Sequence, residues 1–211
     1  MTKAVRTGTS EHYHRDDSDH SKVNRTFSYR RLKKNALSLL STGSRFSHIG
    51  RDEVVEALAS ENSFERNDLV IFRVTGSRSA FIIICVPNWI WNDPARFVDV
   101  RMVKQQAAEL NRSVVLVRES FVQREPRLSN AEIIDESGDT RITIEDRSAV
   151  LELLVENGFS TVGDCAAAVQ SKAPIPAILK MAALGIVDIN VNRAITLDTR
   201  VDLAGYARMA G

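Results

Sequence analysis

The sequence predicts an α/β domain built around a mixed sheet, followed by a small winged-helix domain. Three observations carry this reading. Two apolar strand-like runs, 68–74 and 80–86, flank the turn segment "TGSRS", which has the Gly and Ser of a tight reversal. A helix opened by "NDP" (92–94) then leads to a third apolar run, "SVVLVRES", and strand-helix-strand order favours a parallel crossover. From residue 146 on, three helical patterns are followed by two short strands.

The elements follow in chain order. Residues 1–28 are polar, with no apolar periodicity, and read as a disordered tail that cannot repay the entropy of ordering. Within it "EHYHRDDSDH" places His12, His14 and His20 beside Asp16, Asp17 and Asp19. Those are transition-metal donor types, but a flexible site must be assembled at entropic cost, so a solvated tail is the favoured reading. The α/β domain is assigned to residues 29–145. "SHIGRDEVVEALAS" predicts a helix over 51–60, with Ser47 or Asp52 as cap. In the helix after "NDP", Asn92 or Asp93 caps and Pro94 takes a first-turn position. Val100, Val103, Ala107 and Leu110 form its apolar face. The third strand is apolar without alternation, which predicts burial on both faces.

Residues 146–211 form the second domain. Its first helix ends at Gly158 with Leu151, Leu154 and Val155 inward, its second is capped by Ser160, and its third stops near Gly185. Two strands around the turn "VNRA" complete a winged helix.

Composition narrows the function. At 211 residues and 44% hydrophobic the chain can bury a substantial core. Its 28 Lys and Arg nearly balance 27 Asp and Glu, so any basic surface is local. Cys85 and Cys165 lie in apolar runs without ligand spacing and read as small buried hydrophobes. The longest apolar stretch is too short to span a bilayer, and the polar N-terminus has no signal-peptide core, so a cytoplasmic protein without membrane contact is expected. There is no GxSxG, Walker loop, GxGxxG, HExxH or Cys-His signature. His48 stands alone, as a capping or surface residue.

With its opening hairpin inside an α/β core and a winged helix behind it, the chain resembles the TnsA-like endonuclease subunit of heteromeric transposases, over about residues 45–203. That resemblance implies a PD-(D/E)XK, restriction-endonuclease-like fold with helices flanking the mixed sheet. It also implies a site: an acid on the first helix, here Glu53 or Glu56; a strand acid, here Asp68; and Glu-x-Lys on the next strand. "ICVP" (84–87) stands where "EVKP" would be expected, and Lys104 is the nearest downstream base. Hydrolysis of this kind needs two carboxylates on Mg²⁺ and a lysine to orient water, and Ile84 and Val86 supply neither. The implied site is vestigial, with candidates Glu53, Asp68 and Lys104, no catalytic residue and no metal. Mg²⁺ enters only if a carboxylate has moved, to Asp93 or Asp99.

The expected function is therefore a non-catalytic DNA-binding protein in a mobile-element or transcription-regulatory assembly. Its partners would be double-stranded DNA and a protein of a multiprotein complex, with a homodimer left open. Candidate DNA contacts are Arg30, Arg31, Lys33 and Lys34 ahead of a helix, Arg101 and Lys104 on the long helix, Lys172 and Lys180 around the third C-terminal helix, and Asn192 and Arg193 at the wing with Asn190. Ordinary helix-surface and turn roles compete with each. Trp89 and Trp91, two apart in an extended segment, would point the same way as a partner-binding pair or fill the core. In "RESFVQREPRLSN", Arg118, Arg124 and Arg127 could meet phosphate, or pair with Glu119 and Glu125 in a solvated connector. Two alternatives stay open: an active Mg²⁺-dependent endonuclease with a displaced carboxylate, and a protein-interaction adaptor without DNA contact.

Overall fold

The structure is a computed structural model that describes residues 17–42, 46–76 and 79–205. Four strands, β1 (Phe46–Gly50), β2 (Val70–Gly76), β3 (Ala80–Val86) and β4 (Val114–Arg118), form one sheet in that spatial order. β1, β2 and β3 are successively antiparallel, and β4 joins β3 in parallel, so the sheet is mixed. The parallel step is made by α4 (Pro94–Glu109), whose Asp93 cap accepts from the backbone N–H groups of Ala95 and Arg96 while Pro94 occupies the first turn.

Alternation along β2 sends its side chains to two cores. Leu69 and Ile71 join Ile82, Ile84 and Val86 beneath α4 and α2 (Glu53–Glu61), where Val55, Ala59, Val100, Val103 and Ala107 are buried. Val70, Phe72 and Val74 face α1 (Asp17–Ser41), which contributes Leu32 and Ala36. α5 (Glu119–Val122) and α6 (Arg127–Glu136) extend this second layer, with α6 packed along α1.

After a 3-10 turn at Ser137–Asp139 comes a C-terminal unit: α7 (Ile144–Asn157), β5 (Ser160–Thr161), α8 (Val162–Ala168), α9 (Pro174–Ala183), β6 (Val187–Ile189) and β7 (Arg200–Leu203). Its sheet runs β5-β7-β6, antiparallel throughout. Its core is Val150, Leu154, Val162, Cys165, Ile178, Met181, Val187 and Val201. No helix among the described residues is long and apolar enough to cross a membrane.

Several expectations need correction. Residues 17–28 are not tail but the first half of α1; burial of Leu32 and Ala36 anchors that helix, and a nucleated helix extends cheaply. Residues 1–16, with His12, His14 and Asp16, lie outside the described residues. The segment "FSHIG" is strand β1, so Ile49 belongs to the sheet and Asp52 is the cap of α2. β4 is an edge strand with Val115 44% exposed, so its continuous apolar run does not mean burial on both faces. Leu110 ends α4 exposed. On α7 the inward residues are Val150 and Leu154; Leu151 is half-buried and Val155 exposed, one helical step out of phase. Thr161, not Ser160, caps α8, because Ser160 is paired with Val201 in the sheet. The supposed connector at 118–130 is α5 and the start of α6, with Val122 and Leu128 buried.

Candidate nucleic-acid interface and its cavity

The hairpin slot is dry. Ile84 lies opposite Ile71 across the β2–β3 ladder, and both Ile84 and Val86 are completely buried beneath α2 and α4. Asp68, itself buried, uses its carboxylate to accept the Glu65 backbone N–H at 2.9 Å, while its own N–H donates to the Glu65 carbonyl at 2.9 Å. It closes the turn into β2. Glu53 is exposed at the start of α2 and Lys104 is exposed on α4, and no hydrogen bond or ion pair joins either to Asp68. Asp93 is occupied as the α4 cap, and Asp99 is half-buried on the same helix. Among the described residues no three His, Cys, Asp or Glu side chains are grouped as metal donors. Burial pushes the Cys85 thiol up to about 12, and it raises that of Cys165 as well, so both stay protonated.

Beside the slot, on the outer side of β2, lies a cavity of about 440 Å³. β1 pairs with β2 only from Arg73 to Gly76, leaving Val70, Ile71 and Phe72 with no strand on that side. Tyr29, Lys33 and Leu37, spaced four apart on α1, form one wall. Ile49, Gly50 and Arg51 at the end of β1, with Glu56, Ala59 and Ser60 of α2, form the other, and Phe64, Leu69, Ile71 and Phe72 lie at the base. Glu65 and Arg66, in the turn that Asp68 closes, complete the lining. Arg51 grips the Glu56 carboxylate with both Nε and Nη2. Partial burial, then the nearby Glu56 charge, raises the Tyr29 phenol above its ordinary range, so it remains a hydrogen-bond donor. Lys33 alone of these residues had been read as a contact. Glu56 is singled out by the sequence only as a helix acid of the vestigial site; the other lining residues come from four elements with no shared sequence period, and the one available signal for them is the Tyr29, Lys33, Leu37 stripe.

The expected DNA contacts divide into free and engaged groups. Arg30, Arg101, Lys104, Lys172 and Arg193 are exposed and make no ion pair among the described residues, and Asn192 is exposed. Arg31 pairs with Glu119 at 4.0 Å, and Lys34 with Glu132 at 3.9 Å. Lys180 donates to the Gly138 carbonyl at 2.6 Å. α9 is therefore not an open recognition surface, since it packs against α6 and the Ser137–Asp139 turn.

Trp89 and Trp91 do not sit on an extended strand. They belong to α3 (Asn88–Trp91), a single turn that places them on opposite sides, and both pack against the sheet core. The Arg25 guanidinium lies 4.6 Å over Trp89, while Trp91 packs on Phe97 and lies 5.9 Å from Arg118. Arg118 also donates to Asn88 and Asn92, and Glu119 accepts the Asn88 N–H. The two indoles therefore do not point the same way, and each is partly buried against the core.

A second cavity, also about 440 Å³, runs between the sheet-bearing unit and the C-terminal unit, lined by Leu39, Leu40, Phe46, Phe121, Ile134 and Ile189 among others. Arg127 borders it, with Nη2 donating to the Phe121 carbonyl and Nε buried without a partner. Asn130, buried on α6, fastens the two units: its Nδ2 donates to the carbonyls of Val191 and Arg193, and its Oδ1 accepts from Ile195 N–H. A scan of protein-family models found none that matches this chain, and a sequence search of curated proteins found no match.

Proposed function

We propose that the chain is a non-catalytic DNA-binding protein in which a degenerate nuclease-like domain is joined to a winged helix. The observation that carries this reading is the order of the C-terminal unit: helix, short strand, two helices, then two strands, with β7 between β5 and β6. This order and pairing support a winged helix, in which the segment from Asn190 to Thr199 between β6 and β7 would be the wing. The mixed sheet, with one parallel step across α4, supports the nuclease-like assignment. Ile84 and Val86 in the core support loss of its chemistry.

Because α9 is covered by α6, duplex contact falls on the wing, through Asn192 and Arg193, and on the free cations Lys172, Arg30, Arg101 and Lys104. Such contacts neutralise phosphates and release counterions, which makes affinity salt-dependent and weakly selective for sequence. An electrophoretic shift and cleavage assay over a salt series, with and without Mg²⁺, tests the reading. The expected result is binding that falls steeply with salt while the DNA stays intact. Metal-dependent cleavage would return the protein to the endonucleases.

A second reading, a protein adaptor, is favoured by the apolar cavity between the units. Loss of DNA binding at every salt concentration, with the wing variants indistinguishable from the parent, would favour this reading over the first.

A further inference from the structure

We propose that the cavity between α1 and α2 holds one unpaired nucleotide at the end of a DNA strand, an inference that rests on the DNA-binding reading above. Four features of the cavity converge on a nucleotide. Its volume, about 440 Å³, falls in the range of small-ligand pockets. Tyr29 gives aromatic surface to a base, which stacks on such a ring with little regard to its identity, while Phe64 and Phe72 lie buried in the apolar floor behind it. The lining carries three cations, Lys33, Arg51 and Arg66, against two carboxylates, Glu56 and Glu65. Arg51 and Glu56 consume each other, leaving Lys33 and Arg66 opposed only by Glu65, an excess suited to a single phosphodiester.

The fourth feature is position. The cavity opens on the part of β2 that β1 leaves bare, and its turn is the one that Asp68 pins beside the apolar slot. A strand end entering here would meet the Tyr29 ring and the two free cations, while Ile84 and Val86, sealed in the core, cannot reach it. The site binds a terminal nucleotide without cutting it. Lys33 and Arg66 take the phosphate, the Tyr29 hydroxyl donates to a base or phosphate oxygen, and Glu65 turns away a second phosphate by like-charge repulsion.

The test compares two DNA hairpins with the same stem, one blunt and one with a short single-stranded overhang ending in 2-aminopurine, together with deoxyadenosine monophosphate and inorganic phosphate in calorimetry. The overhang is expected to bind at least about five-fold more tightly than the blunt end, the low end for stacking one base, with quenched 2-aminopurine fluorescence. Arg66→Ser and Tyr29→Ser should abolish that preference and the quenching, whereas Tyr29→Phe keeps the stacking. Arg193→Ala should weaken both hairpins equally. Equal affinity for the two ends, or a preference that survives Arg66→Ser, overturns the cavity assignment and leaves the DNA reading intact. If neither hairpin binds, the DNA reading falls and the calorimetry decides the cavity. Binding of the monophosphate that is lost in Arg66→Ser would then make the ligand a free nucleotide, and no heat from it would remove the site.

Discussion

The two sides of β2 differ sharply although they share one strand. On the side toward β3, pairing is complete and helices cover the sheet, so Ile84 and Val86 sit in a core that excludes any charge. On the side toward β1, pairing stops at Arg73, and Tyr29, Lys33, Arg51, Glu56 and Arg66 gather around the uncovered edge. Helix cover, not pairing alone, decides where charge can sit: Arg73 is paired on both sides yet exposed, Ile84 and Val86 lie dry beneath α2 and α4, and the charged groups collect where the edge of β2 is left open.

The largest expected effect breaks the dry side. Ile84→Glu places an unpaired carboxylate at a fully buried position and should cost about 3–5 kcal/mol by urea denaturation, without creating metal-dependent cleavage. A folded, equally stable variant would show that the slot is wetter than its burial implies.

The next prediction concerns the cap at the foot of α2, near the charged side. Asp52 is buried, accepts the Val55 N–H and pairs with Arg112. Asp52→Ala removes cap and ion-pair partner together and should cost roughly 2–4 kcal/mol. The partner substitution Arg112→Ala should show strong coupling to it in a double-mutant cycle.

A smaller effect is expected in the C-terminal unit, where Asp146 is buried as Asp68 is. Hydrogen bonds from Gln170 N–H first, then from Thr143, hold its carboxyl below the usual range. Its folded pKa is depressed, so the stabilisation is fully present above the unfolded value of about 3.9 and is lost as pH falls through the folded value. Asp146→Asn should accordingly lose about 1–3 kcal/mol near neutrality, and the gap to the parent should narrow on acidification. A gap independent of pH would mean the charge contributes nothing.

Asn130→Ala loses three hydrogen bonds to the 190–195 segment. Amide exchange at Ile195 should accelerate about ten-fold or more, with little change in β3. The smallest effect is at the surface: Arg193→Ala should leave stability within about 0.5 kcal/mol and lower the salt slope of DNA binding by about one.

Much of the fold was legible because it rests on local rules. The Asn92-Asp93-Pro94 cap, the β2–β3 hairpin, the buried cysteines and the three C-terminal helices follow from cap chemistry, turn residues and apolar runs, all written within a few positions of each other. The 118–130 segment was misread because its charges outnumber its apolar residues, and the Leu128, Ala131, Ile134 spacing of α6 emerges only beyond it. Of the expected contacts, the free Arg101, Lys104 and Arg193 could be named from the sequence, but the pairing of Arg31 and Lys34 depends on Glu119 and Glu132, far along the chain beyond β4.

The sequence by itself determined the α/β class with its mixed sheet, the apolar residues at 84 and 86, and a net charge of only +1, too small to attract nucleic acid from afar, because each follows from residue type and near-neighbour spacing. Tertiary structure alone decided that β1 would stop short on β2, that α6 would cover α9, and that Tyr29, Arg51, Glu56 and Arg66 would share one cavity. These depend on which long-range packing buries the most apolar surface at the least cost in unpaired polar groups, and no local pattern in the chain records that choice.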